Sequence, residues 1–308
     1  MTIILNSIFP VCVLMALGHC IKRYEFVNEQ FFRASDKLIY YIFFPVMLFW
    51  EIGRPDGGGT LDWRLGAAIM LAVLSVSLLS LAYTKLTGAP DFCVGSFSQC
   101  CYRYNAYVGL AIVLSVFGKE GVRHYGTVMF FSIPFINVLA VSTLIWFSGR
   151  SIGRRERLQY MVKALVSNPL IAGCAAGFLY SKIGPPFPTF LDNTFKMLSS
   201  ISLPLALLSI GSALDTSKLK DHFRLAAVSS AAKLILLPVV GYAFLRALQV
   251  SGPAFGVAMI FFSLPTATSI YILSSQLNSD VDMASAGIVL STVLSIASLS
   301  ASLLLFGG

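Results

Sequence analysis

Residues 39–50 read IYYIFFPVMLFW, and residues 199–210 read SSISLPLALLSI. Each is an apolar run holding a single proline, and the two prolines, Pro45 and Pro204, lie 159 residues apart. Outward from this pair the same offset returns. Pro10, inside the hydrophobic opening, matches Pro169 of SNPLIAGC. Asp62 of LDWRLGAA matches Asp221 of KDHFRLAA, with one residue inserted before the next arginine. The chain has 308 residues, so its second half restates its first. A half-length repeat inside an apolar chain points to a secondary transporter built from two related units.

Composition narrows the class. The chain is 56% hydrophobic and only 12% charged, with mean hydropathy +0.80, whereas soluble domains carry about 25% charge. The charges gather between apolar windows of about 17–25 residues, the length that crosses about 30 Å of hydrocarbon. Ten such windows are expected, at 2–20, 36–52, 63–84, 92–117, 125–148, 165–181, 189–213, 225–247, 253–275 and 282–306. The fold class is therefore all-α and polytopic, with ten transmembrane helices. The two repeats occupy 1–148 and 165–308, joined by a loop at 149–164. The net charge of +8 is assigned to loops facing anionic membrane lipid rather than to nucleic acid.

Lysine and arginine give the orientation. With the N-terminus outside, thirteen fall on inward loops and span ends and seven on outward ones, out of 22 in all. The densest cluster, GRSIGRRER at 149–157, faces inward. Both termini then lie outside. Each half holds an odd number of spans, five, so the second half enters the membrane upside down. This inverted repeat is the architecture of alternating access.

Polar residues inside the windows mark the candidate site. The fourth window contains SQCCYRYNAYVGLAIVLSVFG, which places Gln99, Arg103 and Asn105 within apolar sequence. An arginine at mid-bilayer costs about 2.5–3.5 kcal/mol on insertion scales, so it should meet water, a partner or the protein interior. Its alternative is to snorkel from a span end. The ninth window, GVAMIFFSLPTATSIYILSSQL, carries Pro265 beside the repeat image of Asn105. Proline removes an amide donor and clashes with the carbonyl four residues back. A helix starting at Pro265 would present free amides, with the hydroxyls of Thr266, Thr268 and Ser269 beside them. If the fourth helix also breaks near Asn105, two breaks cross at mid-membrane and two positive helix ends favour an anion.

Lys233, half-way along the eighth window, could neutralise a carboxylate, take a proton or snorkel inward. Asn137, beside Pro134, serves helix bonding or substrate contact equally well. No Asp or Glu falls in the middle of a window, which removes a central carboxylate relay; coupling to H+ or Na+ stays open. No phosphate loop, metalloprotease motif or metal-ligand spacing is present, so no enzyme, cofactor or metal site is expected. The six cysteines read as packing residues.

The blocks YRYNAYVGLAIVLSVFGKEG, LPTATSIYILSSQL, FFPVMLF and SLPLALLSIG make the chain resemble a bacterial member of the auxin efflux carrier family. The likeness covers nearly the whole chain. It implies a fold like that of the bile acid–sodium symporters, with crossing breaks in the fourth and ninth helices. Spans one, two, six and seven would form a scaffold, and spans three to five and eight to ten a moving transport unit. It implies transport of a small organic carboxylate anion across the bacterial inner membrane, by a homodimer joined through the scaffold. A sodium-coupled symporter of a larger amphipathic anion is the alternative. The plant carriers carry proline at both crossings; here the first has Asn105–Ala106.

Overall fold

The computed structural model describes residues 2–53, 61–147, 155, 159, 162, 168–214 and 217–307. Most of the basic 149–164 loop, together with Arg54 and Asp215, lies outside them. Among the described residues the regular structure is all helical, with no strand. Five helical stretches are both long and apolar enough to cross a membrane: Trp63–Thr87, Asp91–Phe147, Thr189–Ser212, Phe223–Ala247 and Val281–Phe306. The chain is thus a multi-pass membrane protein.

In chain order, α1 is Thr2–Arg23. Glu29–Leu38 (α2) runs through a π-helical turn, Ile39–Phe43, into Phe44–Gly53 (α3). Then follow α4 (Trp63–Thr87), α5 (Asp91–Tyr102) and α6 (Ala106–Phe147). Gly118 interrupts α6 with a φ of 57°, a conformation that costs glycine little and divides the fourth window from the fifth. In the second half come α7 (Pro169–Ile183), α8 (Thr189–Ser212) and α9 (Phe223–Ala231). A second π-helical turn, Ala232–Leu236, leads into α10 (Leu237–Ala247). The chain ends with α11 (Gly252–Ser263), α12 (Ser269–Gln276) and α13 (Val281–Phe306).

The spacing read from the prolines reappears in the packing. At Gly18 of α1 a Cβ would overlap the Leu208 carbonyl of α8, so only glycine permits that approach. Gly177 of α7 sits against α3 in the same way, its Cβ position 3.2 Å from the Phe49 oxygen. Gly18 and Gly177 are 159 residues apart, and so are Phe49 and Leu208. One contact therefore recurs in both halves with each partner displaced by the repeat.

The offset drifts at the two breaks. Helices α5 and α11 both have 12 residues and start at Asp91 and Gly252, which puts them 161 residues apart rather than 159. Matching their ends pairs Arg103 with Leu264, and these two residues share an extended backbone, at φ −67°, ψ 149° and φ −68°, ψ 150°. Pro265 is then the image of Tyr104, and Thr266 that of Asn105.

The two halves are tied to each other. At one end the Phe92 carbonyl accepts the Asp280 N–H (3.0 Å) and the Ser279 hydroxyl (2.9 Å), and the Cys93 thiol donates to Asp280 Oδ2 (3.0 Å). Lys218 pairs with Asp282 there at 3.3 Å. Elsewhere between the halves Trp50 donates its indole N–H to Asp192 Oδ1 at 2.7 Å, and Phe49 meets Tyr180 and Phe187 edge-on.

Candidate functional site

The fourth and ninth windows are both broken, at Arg103–Asn105 and at Leu264–Thr268, and the two breaks touch. The Asn105 N–H donates to the Pro265 carbonyl at 2.9 Å. The Thr266 hydroxyl donates to the Cys100 carbonyl at 3.1 Å, closing an orphan acceptor in the last turn of α5. The Thr266 N–H, with no helix to serve, donates to Ser291 Oγ of α13 at 3.1 Å. These bonds answer the backbone accounting that a break deep in apolar surroundings demands.

Asn105 begins α6. Its side-chain oxygen accepts the N–H groups of Tyr107 (3.1 Å) and Val108 (3.3 Å), and its carbonyl accepts that of Gly109 (3.1 Å). Asn105 is thus an N-cap. The expected helix start at Pro265 is not where the second half-helix begins. Thr268 occupies the N-cap position and α12 opens at Ser269. Proline at 265 ends α11, because a residue without an N–H cannot continue the ladder, and three further residues, Thr266–Thr268, follow before helix resumes.

Arg103 does not snorkel. Its guanidinium is half-buried and donates to Gln99 Oε1 (3.0 Å), Asn137 Oδ1 (3.3 Å) and Ser269 Oγ (3.3 Å). All three acceptors are neutral, and no carboxylate pairs with it among the described residues. Three of the five N–H donors of an arginine fork are accounted for. Gln99 is fully buried and is itself steadied by donation to the Gly95 carbonyl at 3.2 Å. The structure therefore brings Gln99, Arg103, Asn137 and Ser269 into one cluster, directly beside the Asn105–Pro265–Thr266 crossing.

Lys233 stands apart from that cluster. It lies in the second π-helical turn, is completely buried, and donates to the Phe262 carbonyl at 3.2 Å with the Phe261 ring 5.9 Å away. Phe262 is in the last turn of α11, so the ammonium satisfies a carbonyl at the negative end of a half-helix. Snorkelling is excluded for this residue as well.

Several members of the site carried no usable sequence signal. Ser132 bonds the Tyr104 hydroxyl at 2.7 Å, Tyr125 donates to the Ala106 carbonyl at 3.3 Å, and Ser291 holds Thr266. Serine and tyrosine recur in most of the windows. The π-helical turns are also local features that often mark functional positions, and neither has a residue signature.

A profile of the family described as membrane transport protein matches residues 3–303. The chain belongs to this family, which is that of the auxin efflux carriers. Its relatives include an uncharacterised transporter of Methanothermobacter thermautotrophicus, 24% identical over 302 residues, covering 96% of this chain and 95% of the relative. The uncharacterised transporter YfdV of Escherichia coli K12 is 21% identical over 290 residues, 90% of each chain. A Rhizobium meliloti protein whose name gives it, provisionally, as a malonate transporter is 33% identical over 130 residues, 42% of this transporter and 39% of the relative.

Proposed function

We propose that this transporter is a secondary active carrier that moves a small organic carboxylate by alternating access, with the anion bound at the crossing of the two broken windows. The observation that carries the reading is Arg103: a cation inside a membrane protein, held by three neutral acceptors, with no carboxylate paired to it among the described residues. Such a charge is costly unless something answers it, and a substrate carboxylate is the partner whose geometry an arginine fork matches. The Asn105 cap and the start of α12 beside Ser269 aim two helix N-termini at the same region.

The proposal takes the chain as ten spans in two inverted five-helix repeats, within the inner membrane, with both termini outside. The displaced Gly18 and Gly177 contacts support the duplication. Loops assigned inward by charge meet at one end, through Lys218, Asp280 and Asp282, which supports the orientation. In the scaffold and transport-unit division, α1, α3, α7 and α8 pack as the scaffold around their glycines. A cavity of about 380 Å³ between α3, α8 and the first half of α6, lined by Trp50, Glu51, Leu110 and Lys196, leaves room for the two units to rock. The carrier would work as a homodimer through the scaffold. Malonate is the first substrate to try, on the strength of the name of the Rhizobium relative.

Counterflow of labelled malonate into proteoliposomes tests this reading, with sodium and pH gradients imposed separately. Saturable uptake above that of protein-free vesicles is expected. Uptake no greater than the blank for malonate, malate and small monocarboxylates alike would contradict it.

A further inference from the structure

A groove of about 730 Å³ runs between α9–α10 and α13, with Met259 and Ser263 of α11 as its floor. Phe223, Val239 and Tyr242 form one wall, and Leu294 and Phe306 belong to the other. From Phe223 to Tyr242 is about 28 Å at the helical rise of 1.5 Å per residue, close to the ~30 Å of bilayer hydrocarbon. On a membrane protein this face meets lipid tails, but two features set it apart from an ordinary lipid-facing surface.

The first is a cluster of positive charge at one end of the apolar run. Lys220 and Arg224 flank Phe223, both exposed and without an ion-pair partner among the described residues, while neighbouring Lys218 is taken by Asp282 at 3.3 Å. Asp221 is the one exposed acid between them. At the far end Arg246 stands alone, one turn beyond Tyr242. The second is Ser230, two turns from Phe223 along α9. It lines the groove, is buried, and its hydroxyl has no hydrogen-bond partner among the described residues. Its neighbours in the groove are satisfied: Ser263 and Ser302 bond each other at 2.6 Å, and Ser298 donates to the Leu234 carbonyl at 3.0 Å. A buried donor left open calls for an acceptor from outside the protein.

We propose that this groove is a binding site for one anionic diacyl phospholipid. An acyl chain lies along the apolar walls, an ester carbonyl accepts the Ser230 hydroxyl, and the phosphate headgroup rests against Lys220 and Arg224. Two basic residues at a membrane surface favour an anionic over a zwitterionic headgroup by roughly tenfold or more. The groove is carried by the helices of the eighth and tenth windows, with α11 beneath, and none of its lining residues belongs to the Arg103 cluster.

Native mass spectrometry of the purified transporter, equilibrated with equal amounts of dioleoyl phosphatidylglycerol and dioleoyl phosphatidylcholine, tests the site. One phosphatidylglycerol per chain is expected, enriched about tenfold over phosphatidylcholine and not displaced by inorganic phosphate. The exposed pair K220Q/R224Q should abolish the headgroup preference without changing the unfolding temperature. Ala297→Trp, which fills the groove, should remove retention of both lipids. Equal retention of the two lipids by the wild-type protein would overturn the proposal, as would a preference that survives K220Q/R224Q. Crosslinking of two chains through Val239→Cys would assign the groove to a second copy and overturn it equally.

Discussion

Arg103 and Lys233 illustrate how differently two buried cations can be employed. Each lies in apolar sequence and each has only neutral acceptors, yet Arg103 sits half-buried at the crossing whereas Lys233 is sealed against the Phe262 carbonyl. Arg103→Gln keeps a polar side chain but removes the charge, and its shorter amide, with two N–H groups, cannot make all three donations of Arg103. A hydrogen bond to a charged group contributes about 1.5–3 kcal/mol, so the variant should bind a small carboxylate at least tenfold more weakly at a closely similar unfolding temperature; titration of both proteins with malonate measures this. Lys233→Met removes a buried charge and leaves one carbonyl open. A buried acceptor left open costs about 1–3 kcal/mol, so the unfolding temperature should fall slightly while turnover in liposomes falls more steeply. A large loss of stability would make Lys233 a purely structural cap. Asn105→Ala deletes an N-cap, which costs about 0.5–2 kcal/mol, and it should slow transport with the helical content intact by circular dichroism. Asparagine recurs in this role: Asn28 and Asn168 cap α2 and α7 through the same side-chain oxygen. From sequence, Asn105 reads equally as a cap or as a ligand, because one carbonyl oxygen serves both.

At the scale of the elements, the breaks were legible and their details were not. Proline at 265 announces an interruption through its missing N–H. The position where helix resumes, at Ser269, depends on Thr266 finding Cys100 and Ser291, contacts about 166 and 25 residues away that no local rule anticipates. The fourth window has no proline, and its break rests on Asn105 and on the Asn105–Pro265 bond. This pairing alters what Pro265→Ala should do. Restoring one donor does not remove the bonds that Asn105 and Thr266 make, so the break should persist and turnover should fall only several-fold. A continuous α11–α12 helix in a structure of that variant would show that proline alone imposes the break. The glycine contacts behave differently, since there the backbone itself is the neighbour. Gly18→Leu and Gly177→Leu should each separate a helix pair and lower the unfolding temperature by a similar amount, as overpacking of a tight core costs about 1–3 kcal/mol. A large difference between the two would argue against equivalent halves.

For the whole molecule, the membrane class and the family were open to a reader of the sequence, because bilayer thickness sets helix length and the family's blocks run through nearly the whole chain. The drift from 159 to 161 residues was hidden, since only the ends of α5 and α11 reveal it. Five helical stretches satisfy a length-and-composition rule for crossing a membrane; the broken ninth window and the 15-residue α7 fall short of it by their length. The proposed ten-span topology places both termini outside, so reporters fused there should be active only on the outer side; a cytoplasmic C-terminus would refute the inverted arrangement. The central claim is that the uncancelled charge of Arg103 receives the carboxylate. Equilibrium dialysis of labelled malonate against purified wild-type and Arg103→Gln protein tests it most directly. Saturable binding by the wild type is expected, with at least a tenfold loss of affinity in the variant and both proteins unfolding at closely similar temperatures. Equal affinity in two well-folded proteins would contradict it.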